Sequence, residues 1–225
     1  MKIIECTQGD IDWVSARIGK PTASEFHRIV TPTGKLSSQA KGYAYRLIAE
    51  ALLNMQVESL EGLEWIEHGK ASEADAVRIY EFIHEVETKP VGFITTDDGR
   101  VGCSPDRLVG KNGLEIKCPS PQMHIGYLMG DLGDKYKPQV QGQNFVGEFE
   151  YTDFFSHNVH FKPVEIRTYR DEEYIKILKD SLVGFCDMKD EMLEKIRKNG
   201  FFPEPQQVKD IVTAAYSENE NGIVE

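Results

Sequence analysis

The chain predicts an α/β layered fold with a central mixed sheet flanked by helices, on three observations. Helical periodicity dominates the first third and the end of the sequence, at 38–54, 70–84 and 171–199. Short runs of β-type residues, punctuated by Gly and Pro, lie between them at 89–95, 100–104, 107–109 and 114–118. Two more helical stretches, 122–129 and 137–146, precede strands at 150–159 and 163–168. Helices before, between and after a set of strands imply a layered fold.

In order, 13–17 reads as a short helix or turn and is followed by Ile18-Gly19-Lys20-Pro21. Thr22-Ala23-Ser24-Glu25 has the capping-box pattern, so a helix is expected over 23–30. Thr31-Pro32-Thr33-Gly34 is a turn. The helix at 38–54 places Ala44, Leu47, Ile48, Ala51 and Leu52 on one face, and 58–67 is acidic and expected to be exposed. The helix at 70–84 carries an apolar stripe of Ala76, Val77, Tyr80 and Ile83, and Glu73 falls on that stripe. A carboxylate on a core-facing stripe needs a partner, either a metal or a nearby Lys or Arg. The helix at 171–199 is expected to weaken near Gly184 and to be capped by Gly200. With no internal repeat or low-complexity linker, the expectation is one domain over 1–205 and a partly flexible tail over 206–225.

There are 225 residues, 40% of them hydrophobic, enough for a packed core. No apolar run approaches membrane-spanning length, and no signal-peptide pattern opens the chain. Cys6, Cys103, Cys118 and Cys186 are scattered. That spacing suggests reduced thiols in a cytosol and argues against a four-Cys iron–sulfur cluster. The net charge of −11 argues against a broad nucleic-acid-binding face, yet the acid is uneven. Residues 1–50 carry +2, residues 51–100 carry −7, residues 101–150 carry −1 and the remainder −5. A narrow groove lined by a few Arg and Lys stays compatible with that distribution.

The chemistry concentrates at 102–118. The turn signal Gly110-Lys111-Asn112-Gly113 sits between two β-type runs. A two-residue turn at Lys111-Asn112 or Asn112-Gly113 puts Ser104, Asp106, Glu115 and Lys117 on one face. Leu114, Ile116 and Cys118 then point to the other. With Lys111-Asn112 as the turn, Asp106 sits opposite Lys117 and diagonal to Glu115, at about 7–8 Å. Two carboxylates at that spacing can hold one hard cation, magnesium or manganese rather than zinc. Such a metal suits phosphodiester hydrolysis, with Lys117 positioning water, stabilising the transition state or acting as the base. A plain cross-strand ion pair between Asp106 and Lys117 is the structural alternative. Near the N-terminus, the helix start at Thr22, with Ser24, Arg17 and Lys20, is either a phosphate site or an ordinary capped helix with surface cations. The six histidines show no ligand spacing.

Several motifs in order resemble a known family. They are Arg17-Ile18-Gly19…Thr22-Ala23-Ser24-Glu25, Gly69-Lys70-Ala71-Ser72-Glu73, Cys103-Ser104-Pro105-Asp106, Gly113-Leu114-Glu115-Ile116-Lys117-Cys118-Pro119 and Gln139-Val140-Gln141. Together, over about residues 10–175, they resemble the lambda-exonuclease and YqaJ-type viral recombinase nucleases of the PD-(D/E)XK superfamily. The resemblance implies a restriction-endonuclease-like core. It implies Asp106, Glu115, the Ile116 carbonyl and Glu73 as metal ligands, Lys117 as the catalytic lysine and Gln139 as the first residue of a QxxxY-like motif. Gln143 stands where that motif has tyrosine. It also implies that Arg17, Ser24 and Ser104 grip a terminal 5′ phosphate.

The implied activity is magnesium-dependent 5′→3′ digestion of one strand of duplex DNA, with manganese able to substitute. It would release mononucleotides and leave a 3′ overhang for a single-strand annealing partner. Further implications are a homotrimeric ring and a phage or prophage origin in a bacterial cytosol. A PD-(D/E)XK endonuclease and a non-catalytic DNA-end-binding protein are the alternatives. The 5′-phosphate pocket and the intact Asp106, Glu115 and Lys117 discriminate against them.

Overall fold

A computed structural model describes residues 1–57 and 66–200, and for 66–71 the backbone alone. Strand β1 (Lys2–Ile4) opens the chain, followed by α1 (Ile11–Arg17), a 3₁₀ helix (Ala23–Arg28), α2 (Ala40–Leu53) and α3 (Ile66–His84). Strands β2 (Thr88–Pro90), β3 (Phe93–Thr95), β4 (Gly102–Cys103), β5 (Arg107–Val109) and β6 (Asn112–Lys117) come next. Helices α4 (Pro121–Leu128) and α5 (Tyr136–Val146) lead to β7 (Tyr151–Ser156), β8 (Val164–Tyr169) and α6 (Glu172–Lys198).

The strands form a five-stranded sheet in the order β2-β5-β6-β7-β8 and a three-stranded sheet in the order β1-β3-β4. All pairs in the larger sheet are antiparallel except β6 with β7, which is parallel and bridged by the crossover through α4 and α5. The expected mixed sheet is therefore present. Among the described residues, buried side chains form two clusters. The larger one gathers Phe26, Tyr43, Leu47, Ile94, Leu178 and Phe185 between the small sheet, α2 and α6. The smaller one packs Ala76 and Tyr80 of α3 against Leu114, Ile116 and Phe155. Burying a large aliphatic or aromatic side chain contributes about 1.5–3 kcal/mol, so α3 is held to β6 mainly by these contacts.

Five details depart from the sequence expectation. The run 89–95 splits into β2 and β3, which join different sheets. The break falls at Val91-Gly92, where a Cβ on Gly92 would collide with the Cys6 carbonyl oxygen. The capping box at Thr22 does not form. The Thr22 side chain makes no cap bond, the segment is 3₁₀ rather than α, and Glu25 turns to Arg28 and Arg46. Thr22 is instead tied by a parallel bridge to Gly102 and by its N–H to the Tyr43 hydroxyl.

Helix α6 runs unbroken through Gly184, whose glycine penalty of about 1 kcal/mol is outweighed by the buried Tyr174, Ile175, Leu178, Leu182, Phe185 and Cys186. Gly200 follows with φ +64°, as a capping glycine should. On α3, Ile83 leaves the stripe and is 49% exposed. Strand β1 had no distinct signal and exists through its pairing with β3. The acidic stretch within 58–65 and the tail over 206–225 lie outside the described residues.

Candidate active site

Strands β5 and β6 pair with Arg107 opposite Leu114 and Val109 opposite Asn112, so the turn is Gly110-Lys111. Gly110 takes φ +61°, a backbone state that glycine adopts without strain. The turn thus lies one residue earlier than expected, which shifts the cross-strand partners by two. Asp106 comes level with Glu115 rather than Lys117, correcting the predicted register. A shift of two preserves the faces. Leu114 and Ile116 are buried against α3, while Glu115 and Lys117 face α5.

Asp106 Oδ2 accepts a hydrogen bond from the Ile116 N–H at 2.6 Å. Lys117 Nζ is paired with Glu115 Oε1 rather than with Asp106. Helix α5 closes over this strand. The side-chain amide of Gln139 donates to Oε1 of Glu115, and that of Gln143 donates to Oε2. Gln143 was not expected to belong to the site. Its signal was the four-residue spacing from Gln139, which puts both amides on one helical face.

Electrostatics follow from this crowding. Burial first, and then the Glu115 carboxylate, push the Asp106 carboxyl well above the ordinary carboxylate range. Burial alone would lower Lys117, but Glu115 and Asp106 outweigh it and hold the ammonium above its usual value. Glu73, on α3, is close enough to add to the field at Asp106. Among the described residues no three His, Cys, Asp or Glu side chains converge into a ready-made metal cage. The donor set still fits a hard divalent cation. It offers carboxylate oxygens, and the mutual repulsion of Asp106 and Glu115 is what a bound cation would relieve.

Two residues before Asp106, about 7 Å along an extended chain, Ser104 Oγ accepts from Arg17 Nη1 at 3.1 Å and from Trp13 Nε1 at 2.9 Å. With both lone pairs occupied, the Ser104 hydroxyl hydrogen is free to donate outward. The Arg17 guanidinium stacks over Trp13, 4.2 Å from its ring centroid, and its buried Nε has no partner. Burial pulls the Arg17 pKa below its ordinary value, and among the described residues Arg17 makes no salt bridge. Asp10 caps α1 through the Trp13 N–H at 2.7 Å and so fixes the helix that carries both Trp13 and Arg17. Ser24 is exposed and bonds Thr22 rather than Arg17 or Ser104. Trp13, absent from the predicted set, was signalled by its four-residue spacing from Arg17.

A cleft of about 850 Å³ opens over Glu115, Lys117 and Gln139. Its lining also includes His27, Arg28 and Lys135, the acidic Asp131 and Asp134, and the aromatic Tyr127, Tyr136 and Phe154. A second cavity of about 760 Å³ lies away from these residues, between the β3–β4 turn and α6. The cysteines are unpaired, and His124 is buried between Ser156 and Lys162 as a packing element.

Similarity to known proteins agrees with this fold. The chain superposes on an alkaline exonuclease from Laribacter hongkongensis with a TM-score of 0.76 and 24% identity, over 85% of this chain and 98% of that one. The same coverage and TM-score, with 26% identity, hold for LHK-Exo in complex with dAMP. A phage-related exonuclease from Haemophilus somnus matches at a TM-score of 0.63 and 16% identity, over 79% of this chain and 96% of that one. No curated protein sequence matches. Residues 12–150 match the YqaJ-like viral recombinase domain, a span that contains Arg17, Glu73, Ser104, Asp106, Glu115, Lys117 and Gln139. The chain belongs to the YqaJ-like viral recombinase family, whose alkaline-exonuclease relatives support a nuclease role for it.

Proposed function

We propose that this protein is a magnesium-dependent exonuclease that degrades one strand of duplex DNA from a 5′-phosphorylated end. The observation that carries the reading is the adjacency of two chemistries on one short run. Ser104, with Arg17 and Trp13, forms an anion-binding corner, and Asp106 begins the carboxylate pair two residues later. An end phosphate held at Ser104 would set a neighbouring phosphodiester near Asp106, Glu115 and Lys117. That spacing suits removal of one nucleotide at a time.

Asp106, Glu115 and the Ile116 carbonyl would hold the metal, with Glu73 serving a second position. A bound divalent cation, magnesium or manganese, lowers the pKa of water and neutralises charge on the phosphoryl oxygens. Lys117 would orient the attacking water and stabilise the extra negative charge of the transition state. Gln139 steadies Glu115. Arg17 supplies charge-assisted hydrogen bonds to the terminal phosphate and Ser104 adds a donor. Ser24, exposed at the start of the 3₁₀ helix, would join them when DNA is bound. The products would be mononucleotides and a 3′ overhang for a single-strand annealing protein, in a bacterial cytosol. A homotrimeric ring around DNA would retain substrate by topology, which suits a chain of net charge −11.

The test is cleavage of linear duplex DNA with magnesium, comparing 5′-phosphorylated, 5′-hydroxyl and closed circular substrates. Rapid digestion of phosphorylated ends with release of mononucleotides is the expected result. Cutting of the circle would replace the proposal with an endonuclease. Absence of cleavage with either magnesium or manganese would leave an end-binding protein.

A further inference from the structure

Gln143 is 1% exposed and lies on the inner face of α5. Its amide nitrogen donates to Oε2 of Glu115, while Lys117 and Gln139 both act on Oε1. Among the described residues Gln143 is thus the only side chain holding Oε2. The orientation of the amide follows from chemistry, because only the NH₂ end can face a carboxylate. Its Oε1 is consequently left buried without a hydrogen-bond partner. A half-satisfied buried amide is unfavourable in itself. What glutamine supplies at this place, and an apolar residue cannot, is a donor for Glu115.

We infer that Gln143 is a positioning residue that fixes the plane of the Glu115 carboxylate for a divalent cation. The inference rests on the metal-dependent nuclease reading above. Without Gln143, Oε2 is unrestrained and the Glu115 carboxylate, held only through Oε1 by Lys117 and Gln139, is free to turn out of the plane a cation needs. Groups that orient a metal ligand typically account for about 10–100-fold in metal affinity. Losing one of the two amides should sit at the lower end of that range.

The experiment is calorimetric titration of manganese into the DNA-free protein, for the wild type, Gln143→Met, Gln143→Asn and Glu115→Gln, with circular dichroism to confirm folding. Gln143→Met keeps the length and removes the donor, and Gln143→Asn retains an amide one methylene short. The expected result is about 10-fold weaker manganese binding for Gln143→Met and an intermediate loss for Gln143→Asn. In cleavage assays the metal concentration for half-maximal rate should rise in parallel, with KM for DNA unchanged and kcat restored by added metal. A purely structural role would move none of these in a folded variant. If Glu115→Gln loses manganese while the folded Gln143 variants bind it like the wild type, the positioning role is overturned and the nuclease reading stands. If the wild type binds no manganese and Glu115→Gln changes nothing, both are overturned. Should Gln143→Met fail to fold, the intermediate loss expected for Gln143→Asn decides the matter alone.

Discussion

Asp106 accepts the Ile116 N–H at 2.6 Å while standing level with Glu115 on the neighbouring strand. One backbone donor therefore holds a carboxylate against a second carboxylate. Without a cation the arrangement is electrostatically costly, and its cost is a measurable property of the protein.

Asp106→Asn keeps a hydrogen-bond acceptor for Ile116 and removes the repulsion. It should abolish cleavage yet stabilise the metal-free protein at neutral pH. The Asp106 carboxyl is raised above its unfolded value of 3.8. Its contribution to stability is therefore present below that value and is lost as pH rises through the folded pKa. Thermal melts in EDTA at pH 5 and pH 8 should show the gap between Asp106→Asn and the wild type widening with pH. A constant gap would contradict the assignment.

Arg17→Ala should reduce cleavage of 5′-phosphorylated ends about 10–100-fold, the equivalent of the 1.5–3 kcal/mol of a charged hydrogen bond. The 5′-hydroxyl substrate should change far less. Arg17→Lys should not restore the preference, because an ammonium cannot donate in a planar fork to Ser104 and a phosphate together. Equal losses on both substrates would remove Arg17 from phosphate binding.

Gly110→Ala tests the register. A Cβ there meets nothing within 4 Å, so the whole penalty is the backbone strain at φ +61°. Chemical denaturation should show a loss of about 1–2 kcal/mol. Asn at the same position should cost less. A turn at Asn112-Gly113 would leave Gly110→Ala nearly silent.

Cys118 reports on the site from behind. Burial, with the Glu73 and Asp106 carboxylates, pushes its thiol up to about 11. Alkylation followed by mass spectrometry should therefore be slow at pH 8, where only about one thiol in a thousand is ionised. The rate should rise with pH towards 11, and rise at fixed pH when magnesium neutralises those carboxylates. A rate matching free cysteine at pH 8 would show that the carboxylates do not act on it.

How much of this was legible beforehand varied with the kind of information involved. The alternation of side chains along a strand is local, so the shared face of Ser104, Asp106, Glu115 and Lys117 followed from residue spacing and an even-length turn. The order of helices and strands followed from periodicity, and the family motifs marked Arg17, Glu73 and Gln139. The pairing of Asp106 with Glu115 was not legible, because Gly110 and Lys111 compete with Asn112 and Gly113 for the turn, and only packing of Leu114 and Ile116 against α3 and of β6 against β7 selects one register.

The same limit applies to partners far apart in sequence. Trp13 and Ser104 are 91 residues apart, and Gln143 and Glu115 are 28 apart. Their types and helical spacing were visible, but no local rule brings them together. The sequence by itself determined which residues carry acid, amide and cation, and which face each would share with its near neighbours. The tertiary structure decided which of them meet, because hydrogen bonds and ion pairs act over a few ångströms and the folding of α1 and α5 onto the sheet sets those distances.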